Sequence, residues 1–118
     1  GDGSLLMHMG SLATSGKIKL NNFFHILINN QVHESVGGQR TAADVIDFAK
    51  LVRSNGYYNT FYSKSKEGLK SDIQELARSS GPSFLEVFVK PGSREDLGRP
   101  SIDPKDNKES FMMHIKNL

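Results

Sequence analysis

Three short apolar runs alternate with helix-like segments along the chain, and this order limits the possible folds more than any other feature. The runs cover residues 23–28, 57–62 and 83–90. The segments between them carry apolar residues three and four positions apart, as one face of a helix requires. Strands that alternate with helices favour a parallel sheet with right-handed crossovers. We therefore predict an α/β protein with three layers, α/β/α, around a parallel sheet.

Capping residues predict where the helices begin and end. Ser4 is expected to cap a first helix that ends at Gly16. Thr41 is expected to open the second helix, with Asp44 three residues later completing a capping box. Ser65 is expected to cap the third helix. Each predicted helix therefore begins at a residue whose side chain can accept a backbone hydrogen bond.

A change of composition divides the chain near residue 90. Residues 1–90 are expected to form the α/β domain. Residues 91–108 contain three of the four prolines, many charges and few apolar side chains, so we expect them to form an extended arm. Apolar residues return between 111 and 118 at a spacing that fits one short amphipathic helix.

Composition also excludes several classes of function. The formal net charge is only +2, so no strong field favours nucleic acid. The chain has no cysteine, which excludes disulfides and thiolate metal sites. No apolar run approaches the length of a membrane span. We therefore expect a cytoplasmic protein that binds neither nucleic acid nor membrane.

Two polar signatures lie where turns are expected in this fold. GDGS at 1–4 comes before the first helix, and NN at 29–30 follows the first apolar run. Mg²⁺ prefers oxygen ligands, which the Asp2 carboxylate and the Asn30 amide can supply. Glycine lets the backbone approach a diphosphate closely, and a helix that starts beside it directs free N–H groups at the anion. The pair predicts a magnesium–diphosphate site, and two unrelated tight turns are the alternative.

The loop after the second signature holds groups that can transfer protons. His33 and Glu34 are the only ionisable side chains within residues 31–39. They closely follow Asn30, the candidate metal ligand, so we consider them candidate acid–base groups. An ordinary surface loop is the alternative.

Longer stretches around these signatures resemble a known family. They are GDGSLLMHMGSLAT at 1–14, HILINNQVHESVGGQ at 25–39 and GSREDLGRP at 92–100. The chain is similar to the C-terminal, diphosphate-binding domain of the phosphonopyruvate decarboxylases, which use thiamine diphosphate (ThDP) and Mg²⁺. The resemblance implies a partial ThDP-binding fold and decarboxylation of phosphonopyruvate to phosphonoacetaldehyde and CO₂. Sulfopyruvate or another 2-oxo acid is an alternative substrate, and a non-catalytic diphosphate-binding module is an alternative from another class.

The resemblance also implies roles for individual residues. Gln31 departs from the family's pattern, since relatives often carry glycine at its position. Arg94 and Arg99 are candidates to bind the phosphonate, with solvated arginines in the arm as the alternative. The resemblance makes the side chains of Asp2 and Asn30 and the backbone carbonyl of Val32 metal ligands, makes Gly1, Gly3, Ser4 and Ser35 cofactor-binding residues, and makes His33 and Glu34 catalytic candidates.

The resemblance further implies that part of the active site comes from elsewhere. Enzymes of this kind bind the aminopyrimidine ring of the cofactor in a second domain, which carries an activating glutamate and is absent from this sequence. We therefore expect a C-terminal fragment of a homo-oligomeric enzyme, truncated before residue 1 and inactive alone towards its small 2-oxo acid substrate. Residues 23–28 are then expected to expose an edge or an apolar face.

Overall fold

The computed structural model describes all 118 residues, which form five helices and five strands. Two short 3-10 turns, Glu34–Val36 and Ala43–Val45, lie between them. In chain order the elements are α1 (Asp2–Met7), α2 (Ser11–Ile18), β1 (Phe24–Asn29), β2 (Val32–His33), β3 (Gln39–Arg40), α3 (Phe48–Ser54), β4 (Asn59–Ser63), α4 (Lys66–Arg78), β5 (Ser83–Phe88) and α5 (Pro104–Lys116).

The main sheet has three parallel strands in the order β1-β5-β4. Its register pairs Ile26 of β1 with Leu85 of β5, and Leu85 with Phe61 of β4. The helix α3 lies between β1 and β4 in the chain, and α4 lies between β4 and β5. Alternating strands and helices thus give the parallel sheet that the sequence predicts, and the α/β fold class is confirmed.

Helices cover both faces of this sheet. One core packs side chains of the first three helices against β1 and β5, and its largest members include Leu12, Leu27, Phe48 and Phe84. A smaller core packs Leu76 of α4 against Leu85 and Val87 on the other face. Neighbouring residues of a strand point to opposite faces, so the two cores alternate along β5. The predicted three-layer arrangement is therefore confirmed.

The two faces of β1 differ sharply in burial. The covered face, formed by His25, Leu27 and Asn29, lies on the side of the larger core, where Leu27 and Asn29 are buried. The open face, formed by Phe24, Ile26 and Ile28, is 39%, 47% and 45% exposed. Since β1 pairs only with β5, its other edge is unpaired as well. The expected exposure of an edge and an apolar face in this region is confirmed.

The first predicted helix is wrong in its boundaries. The segment forms two helices instead of one. The first, α1, begins at Asp2 rather than after Ser4, and residues 8–10 are not helical and separate it from α2. Gly16 lies inside α2 instead of ending it. A Cβ atom at Gly16 would overlap the backbone carbonyl of Asn55, so this glycine allows α2 to pack closely on the turn after α3.

The second predicted helix also begins elsewhere. Residues after Thr41 form a short 3-10 turn, and α3 starts only at Phe48. Its N-cap is Asp47, whose carboxylate accepts a hydrogen bond of 2.9 Å from the backbone N–H of Lys50. The prediction for the third helix is confirmed, because Ser65 caps α4 and accepts a bond of 3.1 Å from the N–H of Gly68.

Residues 89–103 contain no helix or strand, and α5 follows them. This helix begins at Pro104, earlier than the predicted 111–118, because Asp103 caps it and accepts a bond from the N–H of Lys105. None of its residues is buried. Neither α5 nor any other helix combines the length and apolar character that crossing a membrane requires.

Candidate functional site

One cleft of about 160 Å³ brings together every residue that the sequence singled out for the cofactor, the metal or catalysis. It lies where β1 ends and α1 begins, between the two polar signatures. The residues that line it are Gly1, Asp2, Gly3, Ser4, Ile28, Asn30, Val32, His33, Glu34 and Ser35. Ile28 is the only member that was not predicted.

Asp2 is 1% exposed, although it carries a carboxylate. One carboxylate oxygen accepts a bond of 3.3 Å from the backbone N–H of Asn30, and the other accepts a bond of 2.5 Å from the hydroxyl of Thr41. No cationic group of the chain lies within 4.0 Å of these oxygens, since the two ion pairs are elsewhere. Burying a carboxylate is costly without compensating partners, so this position favours a bound cation.

The side chain of Asn30 is held at both of its ends. Its amide oxygen accepts a bond of 3.1 Å from the backbone N–H of Val32, and its amide nitrogen donates a bond of 3.0 Å to the carboxylate of Glu34. A carboxylate accepts only from the nitrogen end of an amide, which fixes the orientation of the group. The amide oxygen retains a second lone pair for another partner.

Asn29, the first residue of the pair, has a structural role on the covered face of β1. It is 2% exposed and donates a bond of 2.7 Å from its amide nitrogen to Glu86 of β5. Its amide oxygen accepts a bond of 3.2 Å from the backbone N–H of Gln31. Burial raises the pKa of Glu86, and the bond from Asn29 counteracts part of that rise.

Gln31 lies at the tightest point of this turn, with a φ of 60°. This left-handed conformation is strained for residues with a side chain and favours glycine. The geometry accounts for glycine as the usual residue in the resemblance noted above. The bond that the N–H of Gln31 donates to the amide oxygen of the buried Asn29 helps to hold the turn despite the strain.

His33 and Glu34 both line the cleft, and each makes a contact that fixes its position. The ring of His33 rests against Gly3, where an added Cβ atom would overlap it, so glycine is required for this contact. The carboxylate of Glu34 accepts hydrogen bonds from the amide of Asn30 and from the backbone N–H of Gly92. Glu34 therefore joins the candidate metal ligand to the beginning of the arm.

The donors in the cleft fit a magnesium ion bound to a diphosphate. Asp2 offers a carboxylate, Asn30 an amide oxygen and Val32 a backbone carbonyl, all of them oxygen ligands. The helix α1 has no side chain that caps its first N–H groups, which leaves them available to an anion. The chain has no cluster of three or more His, Cys, Asp or Glu side chains that could hold a metal ion by itself. Phosphate oxygens and water would therefore complete the coordination shell of the Mg²⁺.

The arm arginines are not part of this cleft. Arg94 and Arg99 are exposed, and the nearest acidic partner of Arg94 is Asp96, with 3.6 Å between Nε and Oδ1. Neither arginine lines the cleft. Their candidate role in binding the phosphonate stays a prediction.

Sequence reasoning missed three residues that support the cleft from outside. Thr41 was assigned to a helix cap, and Asn29 was considered only as part of a pair. Glu86 was considered only as part of an apolar strand. An acidic residue at the centre of SFLEVF is itself a signal, because a carboxylate inside a buried strand needs a polar partner.

Comparison with known proteins agrees with this geometry. The family described as "Thiamine pyrophosphate enzyme, C-terminal TPP binding domain" matches residues 1–87. The chain belongs to this family. Thiamine pyrophosphate is another name for ThDP, so the predicted family and the diphosphate-binding type of domain are confirmed. The matched residues include both polar signatures and the three strands of the main sheet, except Phe88 at the end of β5.

Relatives of this chain are decarboxylases of two kinds. It is 35% identical over 115 residues to a phosphonopyruvate decarboxylase of Streptomyces viridochromogenes, covering 98% of this chain and 29% of the relative. A phosphonopyruvate decarboxylase of Streptomyces hygroscopicus is 34% identical, with 94% and 28% covered. A sulfopyruvate decarboxylase subunit beta of Methanothermobacter thermautotrophicus is 29% identical, with 98% and 60% covered. The chain therefore spans less than a third of the two Streptomyces relatives.

Proposed function

We propose that this chain is the diphosphate-binding part of a decarboxylase that uses ThDP and Mg²⁺ and acts on phosphonopyruvate. The observation that carries the proposal is the buried Asp2 carboxylate, which has no cationic partner and lies in one cleft with Asn30. The identity to two phosphonopyruvate decarboxylases over nearly the whole chain supports the substrate.

Each group in the cleft has a proposed task. Asp2, Asn30 and the carbonyl of Val32 would hold Mg²⁺, while Gly1, Gly3, Ser4 and Ser35 would contact the diphosphate. When bound, ThDP would supply the electron sink that decarboxylation of a 2-oxo acid requires.

His33 and Glu34, which line the same cleft, are proposed to act on protons there. The imidazole of His33 can hold a proton on either ring nitrogen, and the Glu34 carboxylate can accept one. Their position close to Asn30 puts both groups near the space that the cofactor would occupy. A positioned acid–base group typically contributes about 10²–10⁴-fold to a rate.

The complete active site is proposed to need a pyrimidine-binding domain. This domain would supply the activating glutamate, either from another part of the same chain or from another subunit. A homo-oligomer is the proposed assembly, and the open face of β1 offers an apolar surface for such contacts. Two of the sulfopyruvate decarboxylase relatives are named as beta subunits, which supports an enzyme of more than one chain.

Sulfopyruvate is the second candidate substrate. Relatives of that kind are 29–34% identical over at least 94% of this chain. Both substrates are 2-oxo acids with an anionic group at the other end, so the same diphosphate site would serve either one. A non-catalytic module that binds a diphosphate or nucleotide remains the candidate from a different class.

The first test is calorimetric titration of ThDP into the chain assembled with its pyrimidine-binding domain, with Mg²⁺ or with EDTA. We expect saturable binding only with Mg²⁺. Flavin mononucleotide is the matched control ligand, because a flavodoxin-like module would bind it without magnesium. Binding of flavin, or of ThDP equally well in EDTA, would contradict the proposal.

The second test compares substrates in the same preparation. Release of aldehyde and CO₂ from phosphonopyruvate, sulfopyruvate and pyruvate is measured at saturating ThDP and Mg²⁺. We expect the highest kcat/KM for phosphonopyruvate. A higher value for sulfopyruvate would keep the cofactor proposal and change the substrate.

A further inference from the structure

Thr41 connects the two halves of the candidate metal site without lining the cleft. It is 6% exposed, and its hydroxyl donates a bond of 2.5 Å to the Asp2 carboxylate. Its backbone N–H donates a bond of 2.9 Å to the carbonyl of Gln31, beside Asn30. The hydroxyl oxygen also accepts a bond of 3.3 Å from the N–H of Ala43. One buried residue therefore bonds both to Asp2 in the first polar signature and to Gln31, the residue that directly follows the second signature.

The bond from Thr41 restricts how the Asp2 carboxylate can turn. The hydroxyl has a single hydrogen, and that hydrogen is committed to one carboxylate oxygen. The N–H of Asn30 binds the other oxygen. With one donor on each oxygen, the plane of the carboxylate is set and its remaining lone pairs are free for a cation.

The hydrogen bond from the backbone N–H of Thr41 helps to fix Asn30, the second proposed side-chain ligand, in the same way. The Gln31 carbonyl that Thr41 binds belongs to a residue with a φ of 60°, so it needs support to keep this conformation. Asn30, the second proposed side-chain ligand, immediately precedes Gln31. The separation between the Asp2 and Asn30 oxygens therefore depends on Thr41 from both sides.

Magnesium is the ion most sensitive to such positioning, because it demands near-ideal octahedral geometry. Calcium accepts more flexible and longer arrangements of oxygen ligands. Partners that orient metal ligands from outside typically contribute about 10–100-fold to metal affinity.

We propose that Thr41 is a positioning residue that holds the Asp2 carboxylate and the Asn30 turn in the geometry that Mg²⁺ requires. The inference rests on the proposed function. It adds to that function a residue that contacts neither the cofactor nor the ion and that sets the choice of ion.

Two substitutions at Thr41 distinguish the effect of its hydroxyl group from the effect of its side-chain size. Thr41→Val keeps the size and removes the hydroxyl, whereas Thr41→Ser keeps the hydroxyl. In the assembled enzyme we measure the Mg²⁺ concentration that gives half-maximal ThDP binding. We expect it to rise about 10–100-fold in Thr41→Val and to stay within about threefold in Thr41→Ser. Thr60→Val is the matched control, since its hydroxyl accepts a bond from Arg53 away from the cleft.

A second readout distinguishes positioning from a loss of stability. The same titration with Ca²⁺ should show a smaller effect, so that the preference for Mg²⁺ over Ca²⁺ falls in Thr41→Val. A residue that only supports the fold would weaken both ions equally and leave this ratio unchanged, which would overturn the inference. If Thr41→Val does not fold, Thr41→Cys decides, because a thiol is a weaker donor of similar size. A wild-type Mg²⁺ requirement in Thr41→Cys would then overturn the inference.

The two proposals fail in different ways. If the wild-type enzyme binds ThDP without any need for Mg²⁺, the proposed function fails and the role of Thr41 fails with it. If the wild-type enzyme requires Mg²⁺ and Thr41→Val requires no more of it, only the role of Thr41 is overturned.

Discussion

The two faces of β1 come from one run of six residues and end in opposite situations. On the covered face, Leu27 is buried, and Asn29 is hydrogen-bonded to Glu86 and to the Gln31 turn. On the open face, Phe24, Ile26 and Ile28 keep about 40% or more of their area exposed. Ile28, at the end of the open face, lines the cleft, whereas Asn29 on the covered face supports the turn beside the cleft.

This difference shows which face of β1 is covered by residues of this chain and which is not. Every buried polar side-chain atom has a hydrogen-bond partner, including those around the cleft. The apolar open face has no comparable cover, and exposed contiguous apolar surface typically marks a contact with another protein surface. We infer that the buried polar groups around the candidate diphosphate cleft have their hydrogen-bond partners within this chain, and that the apolar open face of β1 is covered by another protein surface.

The largest expected effect concerns the protein surface that the open face of β1 is inferred to contact. The chain alone should show no decarboxylase activity, because the activating glutamate of the proposed pyrimidine-binding domain is missing. An aldehyde-release assay with phosphonopyruvate, ThDP and Mg²⁺ checks this, with the assembled enzyme as the control. Measurable turnover by the chain alone would mean that the cleft suffices for the reaction without a second domain.

Asp2→Ala should abolish the Mg²⁺-dependent binding of ThDP in the assembled enzyme. Asp2 is the only carboxylate among the proposed metal ligands, so we expect a loss of at least about 100-fold, the upper end for residues that merely orient a ligand. Calorimetric titration of ThDP measures the loss. Asp44→Ala is the control, because Asp44 is an exposed carboxylate outside the cleft. Near-normal affinity in Asp2→Ala would remove the metal assignment.

His33→Ala and Glu34→Gln should slow turnover while the cofactor stays bound. The expected decrease in kcat is about 10²–10⁴-fold, the usual contribution of a positioned acid–base group. Steady-state decarboxylation at saturating ThDP gives kcat, and a parallel titration confirms that binding is retained. If kcat is unchanged in both variants, the loop that carries His33 and Glu34 is an ordinary surface loop without a catalytic role.

The isolated chain is expected to self-associate through the open face of β1, and Ile26→Ser should weaken this association. Burying an isoleucine side chain stabilises a contact by roughly 1.5–3 kcal/mol, so the dissociation constant should rise about tenfold or more. Sedimentation equilibrium measures this change. Ile102→Ser is the matched control, since Ile102 is an exposed isoleucine in the arm. Equal association in both variants would show that the open face is not the contact surface.

The smallest expected effect is a pH dependence of stability that comes from His25 on the covered face. Burial lowers the pKa of His25 below its usual 6.5, and the positive N-terminus lowers it further. The unfolded chain then takes up a proton before the folded chain does as the pH falls. The free energy of unfolding should therefore decrease below about pH 6.5, until the folded pKa is passed, and His25 should contribute no change above it.

Urea unfolding at about pH 7.5 and about pH 5.5 measures this dependence. In His25→Gln the part of the dependence that comes from His25 should vanish, since glutamine does not titrate. An identical dependence in both proteins would show that His25 is not held neutral by its contacts with Tyr57 and Phe84.

The sequence predicted the strands and the cleft well because both follow from local chemistry. Each strand of the main sheet is a short apolar run between turns, and each was predicted within two residues of its observed bounds. The two-residue strands β2 and β3 were not predicted, because residues 31–39 were interpreted as a loop. The cleft residues come from two short signatures and the loop after the second, and a parallel sheet brings them together at one edge.

The remaining differences depend on contacts that no local pattern reveals. Thr41 has the sequence context of a helix cap, yet its hydroxyl binds Asp2, which is 39 residues away. Gly16 resembles a helix end, yet it lies inside α2 because the turn at Asn55 packs against it. In both cases a tertiary contact outweighs the local preference.

The most direct test of the metal site is a crystal of the assembled enzyme grown with ThDP and Mn²⁺ in place of Mg²⁺. Anomalous scattering at the manganese edge locates the ion independently of the protein atoms. We expect one peak in the cleft, about 2.0–2.2 Å from a carboxylate oxygen of Asp2, the amide oxygen of Asn30 and the carbonyl oxygen of Val32. Bound ThDP with no manganese at these oxygens would contradict the account.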